Sequence, residues 1–374
     1  MAFLDIARAG GRRAATAQGV FALAWLAFGA WQGVAALRSP AAEARLAPTL
    51  NAEAFWAGRT AGAVNHVMAH DLPIDPVLRG AGGLLRWGVF GSGGPQARVG
   101  CDGWLYLTEE LRHWEGAEAA MAERAQGLAR LQRALAARGI TLLIAVTPDK
   151  ARIHPEQLCS APLTAQARAR HGRFITLLDA AGARRVEILA PLLAARAEGD
   201  LWLRTDTHWN QRGAALVAGL LAQAARDLPL ERPNNFTTLR SRPSPVAGDL
   251  LRIMNLDMLP DPWRPAPDMI AAARTSAPEA TGGLLDEAAA PEVVLLGSSY
   301  SVNGNFHGAL QQGLGAPVAN FAQAGGGFAG SALRYFASPA WRENPPKLII
   351  WEVLERALPQ PVSDEERRLL GSAP

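Results

Sequence analysis

The sequence predicts an α/β protein: a parallel sheet with helices on both faces, preceded by one N-terminal transmembrane helix. Three observations lead there. From about residue 96, short apolar runs alternate with helical stretches, the order that builds strand–helix–strand units. Two of those runs, Ile140–Val146 and Val293–Leu296, are nearly unbroken in their apolar character, as strands buried on both faces must be. Near the N-terminus, Gly19–Leu37 carries no charge and one polar side chain, Gln32.

Residues 1–18 precede that segment and contain Arg8, Arg12 and Arg13, which predicts a cytoplasmic N-terminus and export of the rest. As a helix, residues 19–37 would span roughly 28 Å, about the thickness of a bilayer's hydrocarbon layer. A cleaved signal peptide is the rival reading, since Ala-rich sequence follows, but the apolar stretch exceeds the usual signal core. Residues 38–95 read as a tether and N-terminal extension that ends in the loose Gly91-Ser92-Gly93-Gly94-Pro95.

The domain proper is expected over residues 96–374. A short strand at Trp104–Leu107 precedes a helix at Ala117–Arg138, the strand Ile140–Val146, a helix at Thr164–Ala181 and a strand at Val186–Leu189. Leu201–Arg204 leads into a polar loop, after which Asn210 caps a helix reaching about Arg226. Residues 227–290, rich in Pro and Asp and without a clear period, read as an irregular insertion. Strands resume at Glu292–Gly297, Pro317–Phe321 and Lys347–Trp351.

Composition narrows the function. Apolar residues form 49% and charged residues 19% of the chain, enough for a large core and wrong for a disordered protein. The net charge of +3 is dispersed, and no basic stripe interleaves with aromatics. The pI of 9.2 therefore does not predict a nucleic-acid partner. Lacking a second apolar segment of spanning length, the bulk of the chain is expected in the periplasm. Cys101 and Cys159 suit such an oxidising space, where a disulfide would contribute about 4 kcal/mol; two free buried thiols are the alternative.

Two motifs carry the chemistry: Asp206-Thr207-His208-Trp209 and Gly297-Ser298-Ser299-Tyr300-Ser301. A hydroxyl is a poor nucleophile near neutral pH, so it needs a base, and a third group must hold that base in one tautomer. Ser299, His208 and Asp206 fit those roles and point to acyl transfer. Ser299 follows an apolar strand, which places it at the carboxyl end where open α/β sheets bind ligands. A helix starting there would aim amides at an oxyanion. Asp206 and His208, two apart in an extended stretch, would face one side.

Blander readings stand beside these: serines that only cap a helix, and an Asp–His pair on the surface. Asp-x-His also occurs as a metal-ligand pair, but no other dense His/Asp cluster accompanies it, and His66 and His70 lack a Glu partner; no metal and no cofactor is expected. Gly325-Gly326-Gly327 would let a substrate approach the backbone closely or are simple loop glycines. Without a following Gly-Lys-Ser/Thr they are not a nucleotide loop. Glu352, Glu355 and Arg356 at the end of the last strand read as a structural ion pair, and Trp209, Trp351 and Tyr300 as packing rather than sugar-stacking surfaces.

Six blocks fall in order across residues 52–358: Gly103-Trp104-Leu105-Tyr106, Thr147-Pro148-Asp149-Lys150, Asp206–Trp209, Gly297–Ser301, Asn320–Gly327 and Pro346–Glu352. On these blocks the chain resembles the AlgJ/AlgX family of alginate O-acetyltransferases, periplasmic proteins with an SGNH-hydrolase-like domain. The resemblance implies that fold in a permuted form, because the Asp-x-His pair precedes the serine. It implies Ser299 as nucleophile, His208 as general base and Asp206 as its orienting partner; Ser298 stands where the family commonly has threonine.

It further implies a two-step transfer of acetyl, supplied by a multi-spanning membrane acyltransferase, onto an exported polysaccharide, beside other exopolysaccharide assembly proteins. The N-terminal anchor looks more like the membrane-bound AlgJ type than secreted AlgX, which predicts a single-pass protein of the bacterial inner membrane. A periplasmic acetyl esterase would use the same three side chains, and a non-catalytic scaffold of the acetylation complex is a third reading.

Overall fold

A computed structural model describes residues 2–232, 236–277 and 290–371, and the chain divides into two compact units, Met1–Leu85 and Arg86–Pro374. In the first, Ala2–Leu37 is one helix. Its part from Ala15 to Leu37 is long and apolar enough to cross a membrane, with Phe21, Trp25 and Trp31 exposed. The side chains of Arg8, Arg12 and Arg13 lie outside the described residues. The segment read as a tether holds helices at Pro40–Leu46, Ala52–Trp56 and Arg59–His70, and a fourth, Asp75–Phe90, runs across the division. Ser39 Oγ and Asn51 Oδ1 cap the first two by accepting from Ala42 N and Ala54 N, as N-caps do. Ala36, Ala42 and Val67 form a small core.

Among the described residues the second unit contains eleven strands: β1 (Ala97–Val99), β2 (Leu105–Leu107), β3 (Thr141–Thr147), β4 (Arg185–Val186), β5 (Thr237–Arg240), β6 (Ser244–Val246), β7 (Asp268–Ile270), β8 (Ala273–Ser276), β9 (Val293–Leu296), β10 (Val318–Asn320) and β11 (Leu348–Leu354). Five form the main sheet in the order β10-β9-β11-β3-β4, parallel throughout. Residue by residue, Leu348–Leu354 lies against Thr141–Thr147. Every residue of β9 and β11 is buried; since successive side chains point to opposite faces, both faces of the sheet are covered. The helix Ala117–Ala136 packs with Ala165–Ala180 and Asp364–Gly371, and Gln211–Ala224 packs with Phe306–Leu314.

The expected elements differ in two places. The strand expected at Val186–Leu189 stops at Val186 because Glu187 Oε1 accepts from the amides of Leu189 and Ala190, which turns the chain into the helix Leu189–Ala195. The insertion is not wholly irregular. It carries two antiparallel ribbons, β5–β8 and β6–β7, and the helix Asp249–Ile253. Its strands are short and largely exposed, so no apolar alternation marks them. Residues 233–235 and 278–289 of that segment lie outside the described residues. Cys101 and Cys159 are disulfide-bonded, with Cα atoms 5.6 Å apart.

Candidate active site

Strand β9 delivers Gly297, Ser298 and Ser299 to its carboxyl end. Gly297 N donates to Ser331 Oγ at 3.0 Å, and a Cβ at Gly297 would run into Ser301 Oγ and come within 2.9 Å of Glu352 Oε2. Ser298 caps the single-turn helix Ser299–Val302: its hydroxyl accepts from Tyr300 N at 3.1 Å and donates to Glu352 Oε2 at 2.7 Å. The same carboxylate oxygen receives Ser298 N at 2.8 Å and Ser301 Oγ at 3.1 Å. Ser299, half-buried, is thus the serine of this motif whose hydroxyl has no hydrogen-bond partner among the described residues. A four-residue helix supplies local amides but little macrodipole.

The Asp206–His208 segment is a bend rather than an extended stretch. Trp202 and Trp209 bridge across it, Leu203 N donates to His208 O at 3.1 Å and Asn210 N to Leu201 O at 2.9 Å. Asn210 Oδ1 then caps the next helix through Arg212 N and Gly213 N. Within the bend, Asp206 Oδ1 accepts from His208 N at 2.9 Å and lies 2.6 Å from His208 Nδ1. That contact assigns the ring proton to Nδ1 and leaves the lone pair on Nε2. Burial works to raise the Asp206 pKa, but the hydrogen bond and charge of His208, with the amides of Asp249 and His208, outweigh it and hold it at about 2.

Tyr300 joins the two motifs. Its hydroxyl donates to Thr207 O and accepts from Trp202 Nε1 at 3.0 Å, while its carbonyl accepts from Trp209 Nε1 at 3.1 Å. Trp209, Trp351 and Tyr300 are fully buried, so all three pack rather than stack on a ligand. His208 Nε2 does not reach Ser299 Oγ by a hydrogen bond. Asn303 links the two residues instead, its Nδ2 lying 3.3 Å from His208 Nε2 and donating to Ser299 O at 2.9 Å.

Several residues that hold this site were given no role by the sequence. Lys150 is fully buried and donates from Nζ to the carbonyls of Leu105, Arg204 and Asp206 at 2.6, 2.8 and 3.0 Å. Burial lowers its pKa to about 8 against the opposing pull of Glu110, Asp268, Asp206 and Asp249. Asp249, from the insertion, donates its amide to Asp206 Oδ2 at 2.9 Å and accepts Thr207 N and Oγ1 at 2.8 and 2.6 Å. Asp206, His208 and Asp249 could meet at a metal ion, with ligand atoms within 4.8 Å of one another. Those atoms are already engaged in the hydrogen bonds just described.

Ser298 and Ser299 line a cleft of about 280 Å³ with Gly325, Gly326, Gly327 and Arg356. Gly325 and Gly327 have φ of 74° and 59°, backbone that favours glycine. The charged group ending β11 divides in three. The ion pair expected among these residues does not form; Glu355 instead pairs with Arg152 at 2.6 Å. Arg356 lies 3.7 Å from Glu110 and on the cleft wall. Glu352 has no cationic partner among the described residues and holds the serine turn instead.

A family model described as SGNH hydrolase-like domain, acetyltransferase AlgX, matches residues 97–355. The probable alginate O-acetylase AlgJ of Azotobacter vinelandii is 33% identical over 311 residues, covering 81% of this chain and 80% of that protein. The protein of the same name from Pseudomonas aeruginosa is 33% identical over 319 residues, with the same 81% and 80% shares. Among solved structures, the O-acetyltransferase domain of Pseudomonas putida AlgJ matches with a TM-score of 0.64 at 33% identity, covering 71% of this chain and 94% of that one. Pseudomonas aeruginosa AlgX, at 24% identity and a TM-score of 0.57 over 73% of this chain and 65% of its own, shares the fold. With a parallel sheet running from β3 to β11 inside the matched span, the chain belongs to the AlgJ/AlgX family of SGNH-hydrolase-like O-acetyltransferases.

Proposed function

We propose that this protein is an O-acetyltransferase that moves an acetyl group through a Ser299 ester onto hydroxyls of an exported, alginate-like polysaccharide. The observation that carries the reading is the setting of His208: Nδ1 is pinned by Asp206 at 2.6 Å, and Nε2 meets Asn303, whose amide also donates to Ser299 O.

In the first step Ser299 Oγ attacks the acetyl carbonyl and gives its proton to His208 Nε2. The tetrahedral intermediate collapses, the donor's leaving group takes that proton, and acetyl-Ser299 remains. In the second step a sugar hydroxyl gives its proton to His208 and attacks the ester; Ser299 recovers the proton as the acetylated sugar departs. Both steps need Ser299 Oγ within hydrogen-bond reach of Nε2, a contact that substrate tightens in many such sites. Asp206, ionised far below neutral pH, stabilises the imidazolium formed each time.

The helix Ala15–Leu37 suits a single-pass anchor in the bacterial inner membrane, with the family domain in the periplasm. There a multi-spanning acyltransferase would supply acetyl, and other exopolysaccharide assembly proteins would present the polymer. The full-length protein in detergent, incubated with an activated acetyl ester and examined by peptide mass spectrometry, tests the reading. One acetyl group is expected on the peptide carrying Ser299, absent in Ser299→Ala and formed far more slowly in His208→Ala. Unchanged labelling in Ser299→Ala would overturn it, and acetate release without transfer to an oligosaccharide would make the protein an esterase.

A further inference from the structure

Two cavities beside the Asp206–His208 bend share lining residues. The larger, about 620 Å³, is floored by Trp202, Leu203 and Arg204, the residues leading into the bend. The smaller, about 240 Å³, is bordered by Gly304 and Asn305, which directly follow the Asn303 that touches His208. Gln211, Ala215 and Arg240 line both, so the two form one trough. The helix Gln211–Ala224 makes one side, and the insertion's strands β5, β7 and β8 make the other.

The trough's chemistry is donor-rich. The guanidinium of Arg240, exposed at the end of β5, has no ion-pair or hydrogen-bond partner among the described residues. Arg204 is loosely held: its Nε lies 3.7 Å from Asp268, and its Nη2 reaches Pro267 O at 3.5 Å. Gln312 accepts from Thr238 through Oε1, and its amide hydrogens have no acceptor among the described residues. Arg212, by contrast, is engaged by Gly199 O, Ala195 O and Glu198. The Asp268 carboxylate is committed to Arg204 N, Thr205 N and Thr205 Oγ1. Asp200 also lines the larger cavity and opposes an anion there, so attraction must centre on Arg240.

We infer that this trough is a subsite for the acceptor polymer and that Arg240 binds a carboxylate of an acidic glycan there. The inference rests on the acetyltransferase reading above, because a polymer presenting one hydroxyl to His208 must lay its neighbouring sugars along an adjoining surface. Guanidinium groups match carboxylates in geometry as well as charge, and free amide hydrogens match sugar oxygens.

Calorimetric binding of a uronic-acid hexasaccharide and of a neutral glucose hexasaccharide to the full-length protein in detergent tests this without any turnover. Arg240→Glu, which alters an exposed side chain with no partner among the described residues, should weaken the acidic ligand at least about tenfold, the loss of one charge-assisted hydrogen bond plus the repulsion of the new carboxylate. The neutral ligand should move less than twofold, and salt should narrow the gap between wild type and variant. Equal affinity of wild type and Arg240→Glu for the acidic ligand, equal losses for both ligands, or no binding by the wild type would overturn the inference. The acetyl adduct on Ser299 reports separately on the functional reading: adduct with Arg240-independent binding fails the trough alone, and Arg240-dependent binding without adduct fails the enzyme reading alone.

Discussion

Asn303 Nδ2 lies 3.3 Å from His208 Nε2, so an amide occupies the direction in which the imidazole must accept a proton. The same group donates to Ser299 O at 2.9 Å, which ties the serine turn to the histidine loop. Asn303→Ala removes both contacts from an exposed side chain. We expect stability to change by less than about 1 kcal/mol and Ser299 acetylation to slow about tenfold, because the hydrogen bond that positions the serine turn is lost, whereas the contact with Nε2 must break in any case when that nitrogen takes the proton. An unchanged acetylation rate would show that the tie does not matter for chemistry.

Asp206 offers a separate test through pH. Its pKa is held at about 2 in the folded protein, against an ordinary value of 3.8. A carboxylate with a depressed folded pKa contributes stability that is full above the unfolded value and lost as pH falls through the folded one. Between pH 5 and pH 2 the wild type should therefore lose about 2 kcal/mol that Asp206→Asn does not lose. At neutral pH the Asn variant should fold yet acetylate Ser299 on the order of 10³-fold more slowly, since an amide no longer enforces the Nδ1–H tautomer. Parallel denaturation curves for the two proteins down to pH 2 would contradict this account.

The disulfide gives a third. Cys101 and Cys159 are 58 residues apart, and Cys101 N donates to Gln157 O at 2.9 Å, so the cross-link fastens the β1–β2 turn to the segment after Lys150. Replacing both cysteines with serine should lower unfolding free energy by about 4 kcal/mol in the chain-entropy estimate. The comparison is between wild type and double variant in denaturant without reductant; equal midpoints would mean that the bond does not constrain the unfolded chain.

Where the fold came from periodicity, the sequence was readable. The apolar runs of β3, β9 and β11 announce strands covered on both faces, and Asn210 announces its helix. Asp206 and His208 were legible as a pair because two residues of separation guarantees proximity, though not the bend that joins them. Asp249 was not legible: it reaches Thr207 from 42 residues away, and the segment around it has no period. Lys150 was hidden for a different reason. A lysine ordinarily implies a solvated surface, and only the convergence of three carbonyls makes its burial possible. Glu352 likewise suggested an ion pair, because a buried carboxylate whose Oε2 is held by serine hydroxyls and one amide leaves no charge pattern in the chain.

Ser298 is the sharpest discriminator between holding the site and acting in it. Its hydroxyl is engaged twice, by Tyr300 N and by Glu352 Oε2, whereas the neighbouring Ser299 hydroxyl is free to attack. Ser298→Ala deletes a helix cap and leaves Glu352 Oε2 with two donors instead of three. A cap and a buried hydrogen bond to a charged group together predict a loss of about 2 kcal/mol, read as a lower unfolding midpoint. The Ser299 peptide of that variant should still accumulate acetyl, more slowly because the turn is less firmly set. Ser299→Ala should show the reverse: near-native stability, since no bond of its hydroxyl is lost, and no acetyl adduct. If instead Ser298→Ala abolished the adduct while Ser299→Ala kept it, the nucleophile would be the serine that Glu352 holds, with Glu352 as its immediate hydrogen-bond partner.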